Sequence, residues 1–406
     1  MYVKMMNSES KKNWKVTRLF NRFSRIGKTP LGRKDILIQY LDQGISSITN
    51  YSPMFLLAIV QNWPALGVIT LFQSFYSLFV GVTRSALGST SLMNENKDFG
   101  KSLQYLALAL GVFGGVITFL GSKYLGAYNL LYLFLMLLPL LEETLRFQAF
   151  AHRKHISALK ADSIWLLFLI VSSIYTFSNL DITASTLLVL WSCSSLPSVI
   201  YLLLIQKPKA KHRASIFNKI YLVPLGQNAT SSALAEMNTI FINSFITITC
   251  GPSILGQFRY YQLCLIPVAF LIGANRIILI PLYVNQKFIE LRKILKSQFY
   301  LRIFFYFVGV LFSSLSRGLN NLDVIIWPLT VVAIEMAYRR YTIFQKLIAT
   351  NHSNLVRNLT ILYFFSSLLI FSVSVQVGSV FSLVVSLLAV EFLTWALAHK
   401  MNKNFQ

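Results

Sequence analysis

Apolar stretches long enough to cross a bilayer recur along this chain from Ile36 to Ala398, with short polar gaps between them. A helix that spans the hydrocarbon core needs about 20 mostly apolar residues. Stretches of that order occupy residues 36–59, 65–86, 103–122, 126–146, 162–179, 183–205, 223–249, 252–284, 301–316, 322–342, 358–375 and 377–399. The pattern predicts an all-α polytopic membrane protein of about twelve transmembrane helices.

Lysine and arginine collect in every second gap. The arm before residue 35 is strongly basic, and further clusters lie at 97–101, 153–154, 207–213, 287–296, 339–346 and 400–403. The intervening gaps hold only Lys123 and Arg317. Because basic loops stay on the cytoplasmic side, this alternation predicts an even number of spans with both termini in the cytoplasm.

The amino-acid composition narrows the class of protein further. A mean hydropathy of +0.59 with 55% hydrophobic residues excludes a soluble domain of this length. The net charge of +23 would suggest nucleic acid in a soluble protein, but here the cationic residues lie in loops that face anionic phospholipids. The three cysteines show no CxxC spacing, so we expect no disulfide, metal site or cofactor. The arm before Thr29 has no apolar core of a cleaved signal peptide.

The two halves of the chain repeat the same polar landmarks. The first and seventh stretches each carry a polar helical face, formed by Gln39, Asp42, Gln43, Ser46 and Asn50 and by Asn228, Ser232, Glu236, Thr239 and Asn243. Leu66-Gly67 followed by Gln73 matches Leu255-Gly256 followed by Gln262, and these stretches run on to Arg84 and Arg276. Repeats in membrane transporters form two bundles around a central site.

This repeat predicts the domain organisation. We expect a basic cytoplasmic arm at 1–34, a first six-helix lobe at 35–206 and a basic linker at 207–222. A second six-helix lobe follows at 223–399, with a cytoplasmic tail at 400–406.

Three segments carry a family resemblance. They are Leu41-Asp42-Gln43-Gly44-Ile45-Ser46-Ser47-Ile48-Thr49-Asn50, Arg84-Ser85-Ala86-Leu87-Gly88 and Leu145-Arg146-Phe147-Gln148-Ala149-Phe150-Ala151. Here the chain resembles the polysaccharide-transporter branch of the multidrug/oligosaccharidyl-lipid/polysaccharide (MOP) flippase superfamily, relatives of O-antigen (Wzx-type) flippases of lipopolysaccharide biosynthesis. The resemblance implies a MATE-like fold of two lobes in a bacterial plasma membrane, without catalytic residues. It also implies alternating access, with polyprenyl-diphosphate oligosaccharide as cargo and a glycan polymerase or glycosyltransferases as partners.

An anionic, sugar-bearing cargo requires cations and amides in the membrane interior. Arg276 and Arg259 are the candidate cavity cations, because an ionisable group at depth is costly and marks a pathway; snorkelling to headgroups is the alternative for both. Candidate amides are Gln43, Asn50, Gln73 and Gln262. Arg84, at the inner end of its helix, is interpreted as a gate or headgroup residue.

Asp42 and Glu236 are the candidate ion-coupling carboxylates. Asp42 shares a helical face with Ser46, or alternatively pairs with a neighbour such as Arg33 or Lys34. Glu236 has no basic residue one turn away, so we expect a partner from another helix, with Arg276 as one candidate.

The remaining acidic residues are interpreted differently. Glu142 and Glu143 before Arg146, and Glu335 before Arg339, are expected to form local ion pairs at helix ends. Glu391 has no basic residue near it in the sequence and receives no role.

Two other functions compete with flipping. A cation-coupled multidrug exporter of the same superfamily would share the fold but favour an acidic cavity. A membrane-embedded glycosyltransferase or polymerase would need a catalytic acid or base, commonly on a sizeable outer loop. The outer gaps here are short, with Asp181 and Asp323 isolated in them.

Overall fold

The computed structural model describes residues 33–83, 100–121, 135–152, 154–179, 183–205, 219–284, 287–317, 323–350 and 352–403. These residues are almost entirely α-helical. The first half contains α1 (Arg33–Ile59), α2 (Trp63–Val82), α3 (Gly100–Gly121), α4 (Leu137–Ala151), α5 (His155–Asn179), α6 (Ala184–Cys193) and α7 (Leu196–Ile205). The second half contains α8 (Lys219–Cys250), α9 (Pro252–Leu263), α10 (Ile266–Val284), α11 (Phe288–Arg317), α12 (Asp323–Ala349), α13 (Ser353–Val377) and α14 (Val380–Lys403).

Two of the apolar stretches are broken into two helices each. The sixth stretch divides into α6 and α7, and the eighth into α9 and α10, which are bent by 56° at the break. Pro197 and Pro267 occupy the second positions of α7 and α10. Proline has no N–H to donate to the preceding turn, so a helix tends to end just before it.

The described helices are those of a multi-pass membrane protein. By length and hydropathy, seven spans in the described part of the chain can cross a bilayer, and the bent pair α9–α10 makes an eighth. Helix α12 fails this test because it carries Asp323, Glu335, Arg339, Arg340 and Lys346. The fold class predicted from hydropathy is confirmed.

The hairpins that start the two halves share their local geometry. In the turn between α1 and α2, Gln61 has a φ of 55°, and the Asn62 side chain caps α2 by accepting a hydrogen bond from the Ala65 N–H. In the turn between α8 and α9, Gly251 has a φ of 86°. In both cases a proline at the start of the next helix fixes the backbone φ angle there. Its missing N–H costs nothing, because the first N–H groups of a helix have no partner within the helix.

Helix packing also repeats between the halves. Helix α1 packs against α5 as α8 packs against α13, and α4 packs against α7 as α12 packs against α14. The halves meet where α2 packs against α8 and α9, and where α1 packs against α10. The exact lobe boundaries stay a prediction, because the arm at 1–32 and most of the linker, at 206–218, lie outside the described residues.

Candidate functional site

Helices α2 and α9 cross with their backbones in direct contact. A Cβ atom added to Gly67 would lie 1.9 Å from the carbonyl oxygen of Pro252, and one added to Gly256 would lie 2.1 Å from that of Trp63. Gly67 and Gly256 are 189 positions apart, and so are Trp63 and Pro252. The contact is therefore reciprocal, as expected when two copies of one unit face each other across a two-fold axis. The glycines noted as sequence landmarks are the residues that permit this contact.

The helices that meet at this junction also carry buried or half-buried polar side chains. Gln73 of α2 is buried, and Gln262 of α9 is half-buried. The side-chain amide of Asn243 on α8 donates a hydrogen bond of 2.6 Å to the Ser74 hydroxyl on α2. Both groups are buried, so this bond joins the two halves where water cannot compete.

Arg259 lies at the same junction. Its Nη1 donates to the Gln262 side-chain oxygen at 2.5 Å, and its guanidinium lies 5.8 Å from the centroid of the Tyr51 ring on α1. Its Nε is buried and has no hydrogen-bond partner among the described residues. Arg259 is thus a half-buried cation between an amide and an aromatic ring.

The other buried arginines of the described chain are neutralised. Arg146 lies 2.7 Å from Asp162, Arg302 lies 2.9 Å from Glu335, and Arg340 lies 3.1 Å from Glu391. Within the described residues no carboxylate lies within ion-pair distance of Arg259. Its positive charge is therefore available to a ligand, whereas the others are part of internal ion pairs.

The polar face expected on α1 is present. Gln39, Asp42, Ser46 and Asn50 are buried, while Gln43 is half-buried. The Asn50 amide donates to the Ser46 hydroxyl at 3.5 Å, and its carbonyl oxygen is buried without a hydrogen-bond partner in the described chain. Asn50 can therefore still accept a hydrogen bond in the membrane interior.

Asp42 belongs to a buried charge cluster that the sequence analysis missed. The Arg146 guanidinium contacts Asp162 of α5 at 2.7 Å, Glu143 of its own helix at 3.0 Å and Asp42 of α1 at 3.6 Å. All four side chains are at most 2% exposed. Arg146 of α4 is thus an ion-pair partner of Asp42 that the sequence did not suggest, while the side chains of Arg33 and Lys34 lie outside the described part, so pairing with them stays a prediction.

The expectation of local ion pairs at helix ends needs correction here. The pair between Glu143 and Arg146 exists, but it is fully buried and joined by carboxylates from two other helices. Glu142 accepts a hydrogen bond of 3.1 Å from the Ser198 hydroxyl of α7 and is also buried. We name Asp42, Glu142, Glu143, Arg146 and Asp162 the Arg146 cluster. Three of its four carboxylates lie within 3.6 Å of the guanidinium.

A second cluster lies in the other half. Glu335 of α12 accepts hydrogen bonds from Arg302 of α11 at 2.9 Å, from Arg339 at 2.9 Å and from the Tyr306 hydroxyl at 3.0 Å. The local pair predicted between Glu335 and Arg339 is confirmed. Arg302, which the sequence analysis did not single out, also stacks over the Tyr338 ring at 3.7 Å. One carboxylate therefore serves two guanidinium groups.

Glu391 receives a structural role. It accepts hydrogen bonds from Arg340 of α12 and from the Tyr363 hydroxyl of α13, both at 3.1 Å. Arg340 also lies 4.0 Å from the centroid of the Tyr363 ring. Glu391 of α14 thus connects to α12 through Arg340 and to α13 through Tyr363. No local sequence signal links these residues, since Arg340 and Glu391 are 51 positions apart.

The other predicted site residues lie apart or outside the described side chains. Glu236 of α8 lies beside α2, where a Cβ added to Gly81 would meet its Cγ at 3.0 Å. Arg276 belongs to α10, but its side chain lies outside the described part, so its pairing with Glu236 stays a prediction. Arg84 also lies outside the described residues.

Comparison with known proteins identifies the fold. No protein-family model matches the sequence, and no curated protein matches it. Among solved structures, the outward-facing form of a multidrug resistance MATE family transporter of the MOP superfamily matches with a TM-score of 0.64 at 12% identity. The match covers 94% of this chain and 97% of that one. This chain therefore has a MATE-like fold over nearly its whole length.

Two further structures agree. A MATE protein in the bent conformation gives a TM-score of 0.60 at 11% identity, covering 94% of this chain and 98% of that one. A MOP superfamily transporter from Pyrococcus furiosus gives 0.60 at 10% identity with the same coverage. That transporter is described as having a binding pocket of reverse polarity, which suggests a different function for it.

Proposed function

We propose that this protein is a MOP-type flippase that moves a lipid-linked, polyprenyl-diphosphate oligosaccharide across the bacterial plasma membrane by alternating access. The observation that carries the proposal is Arg259, a cation at the junction of the two halves without a carboxylate partner in the described chain. The MATE-like fold supports transport in general, and the charge at the junction supports an anionic cargo.

The chemistry of a diphosphate matches this environment. A guanidinium presents five N–H donors in a planar fork and binds phosphate oxygens in pairs. Arg259 uses one donor on Gln262 and has a buried Nε that is unpaired in the described chain. An unpaired cation inside a membrane has an unfavourable electrostatic free energy. Binding of an anionic group to Arg259 would therefore be favourable. The amides of Gln73 on α2 and Asn50 on α1 are candidates for hydrogen bonds to sugar hydroxyls of the cargo.

The reciprocal crossing of α2 and α9 supports alternating access. Two similar halves that meet at a narrow backbone contact can rock against each other, and repeats of this kind place the cargo between them. An apolar groove of about 420 Å³ lies between α1 and α5, on the helix that carries the polar face. It is lined by residues such as Ile48, Phe55, Leu169 and Ile174, which suit a polyprenyl tail.

The Arg146 cluster supports coupling to an ion gradient. Among the described residues the cluster brings four buried carboxylates, one of them on α1, close to one guanidinium, and ionisable groups inside a membrane are typical of proton or cation pathways. We propose that Asp42 is the coupling member of the cluster, since it alone lies on α1, the helix that also contacts Arg259 through Tyr51. Glu236 stays a second proposed coupling site.

A direct experiment separates this function from its competitors. Polyprenyl-linked intermediates are measured by mass spectrometry in cells with and without the gene, and the membrane leaflet that holds them is determined. Accumulation of a complete lipid-linked repeat on the cytoplasmic face would support flipping and identify the sugar. An unchanged lipid pool would reject it, and a pool stalled at a shortened glycan would indicate a glycosyltransferase or polymerase instead.

A cation-coupled exporter is the second candidate. It is favoured by the likeness to a multidrug resistance MATE transporter and by the buried carboxylates of the Arg146 cluster. An exporter of organic cations should be impaired by a positive charge at its junction. If deletion of the gene removed resistance to cationic dyes and left the glycan intermediates normal, the exporter function would be supported.

A further inference from the structure

Helices α12 and α14 form a groove beside the ion pair of Arg339 with Glu335. It has a volume of about 320 Å³ and is lined by Tyr338, Arg339, Thr342, Ile343, Trp395 and His399. We propose that this groove binds the headgroup of an anionic membrane phospholipid, which is a lipid of the surrounding bilayer and not the cargo.

The arginines at the groove carry more positive charge than the carboxylate beside them can balance. The Arg339 Nε donates to Glu335 at 2.9 Å, but the same carboxylate already accepts two hydrogen bonds from Arg302. Two guanidinium groups thus share one carboxylate. The Arg339 side chain is 49% exposed, and its Nη groups make no hydrogen bond to the described residues. Arg339 lines the groove, so these donors are available to phosphate oxygens there.

The other wall of the groove supplies further polar groups at the membrane surface. The His399 and Trp395 rings stack, with centroids 5.6 Å apart and planes inclined by 24°. His399 and the adjacent Lys400 are exposed. Tryptophan prefers the interface between headgroups and acyl chains, where its ring is apolar and its N–H can donate. This wall can therefore contact both the headgroup and the first part of a chain.

The helix surfaces leading to the groove are apolar. Val332 lies seven residues before Arg339, and Phe392 lies seven before His399, which is two helical turns on the same face. These side chains are 42% and 53% exposed, so they face lipid tails. On each helix, the face is apolar before the groove and carries basic residues at the groove. A phospholipid has this same order of tail and anionic head, and anionic lipids are attracted to basic residues at the membrane surface.

The test uses the full-length protein purified in detergent and incubated with equal amounts of phosphatidylglycerol and phosphatidylcholine. Native mass spectrometry then measures the ratio of the two lipids that remain bound. We expect the wild type to prefer phosphatidylglycerol and Arg339→Gln to lower this ratio about fivefold, the effect of one surface cation. Arg339→Lys should keep most of the preference.

The matched control is Arg357→Gln, which removes an exposed arginine from α13. Equal losses in the Arg339 and Arg357 variants would overturn the proposal, because general surface charge would explain the preference. Displacement of the lipid by millimolar inorganic phosphate would also overturn it, since the acyl chains would then play no part. Retention that depends on a co-purified protein would point to protein docking instead. If Arg339→Gln does not fold, Thr342→Glu tests the same groove without changing the pair with Glu335.

Discussion

Gly67 of α2 lies against the carbonyl oxygen of Pro252 at the start of α9, so close that a Cβ added to the glycine would lie 1.9 Å from that oxygen. The equivalent contact from the other half involves Gly256 and Trp63. The two halves are thus held together by backbone contact at a point where side chains would separate them. Small residues at helix crossings permit this approach in membranes.

Replacing either glycine should therefore destabilise the junction. We expect Gly67→Ala or Gly256→Ala to cost about 1–3 kcal/mol, because the methyl group meets backbone that cannot rotate away. Thermal unfolding in detergent measures the loss. Gly44→Ala is the matched control, since its added Cβ would lie 3.9 Å from the Phe270 ring, an ordinary contact. Equal melting temperatures for the Gly67 and Gly44 variants would contradict the direct contact.

Arg340 and Glu391 should be strongly coupled. Removing one member leaves a buried, unpaired charge, so Arg340→Met alone should cost about 3 kcal/mol or more of unfolding free energy. The double variant Arg340→Met with Glu391→Leu should recover much of that loss, because no charge is then left unpaired. A double-mutant cycle measured by chemical unfolding in micelles gives the coupling. Additive effects of the two substitutions would refute the ion pair.

Arg259 should be required for charge-dependent transport. We expect Arg259→Gln to lower glycan export at least about tenfold, with Arg259→Lys less impaired, because the lysine keeps the charge but loses the planar fork. Export is measured as surface glycan per folded protein in the membrane. The exposed Arg357→Gln serves again as the control. If neutral substitutions at both Arg259 and Arg276 left export intact, the cationic junction would have no part in transport.

Asp42 should control the dependence on an ion gradient. With Asp42→Asn, transport into proteoliposomes should no longer respond to an imposed proton or sodium gradient, while binding of cargo persists. The reason is that the substitution removes the ionisable group that α1 contributes to the Arg146 cluster. Glu290→Gln is the control, since Glu290 forms an exposed pair with Lys287. An unchanged gradient response in Asp42→Asn would move the coupling site elsewhere.

Several charged residues show where local sequence reasoning succeeds and where it fails. The pair of Glu335 with Arg339 lies one helical turn apart and was predicted. The contacts of Arg146 with Asp42 and Asp162, and of Arg340 with Glu391, were not. Helical periodicity indicates which side chains share a face, but it does not indicate which other helix that face meets.

The sequence by itself determined the helical membrane fold and its repeat. Hydropathy reports the cost of moving each segment into lipid, which is a local property of the chain, and the glycines of α2 and α9 are visible as matched landmarks. Only the tertiary structure decided that those glycines touch, and that Arg146, Arg302 and Arg340 are neutralised while Arg259 has no carboxylate beside it in the described chain. The reason is physical: whether a buried charge is compensated depends on distances between helices far apart in sequence, and packing alone sets those distances.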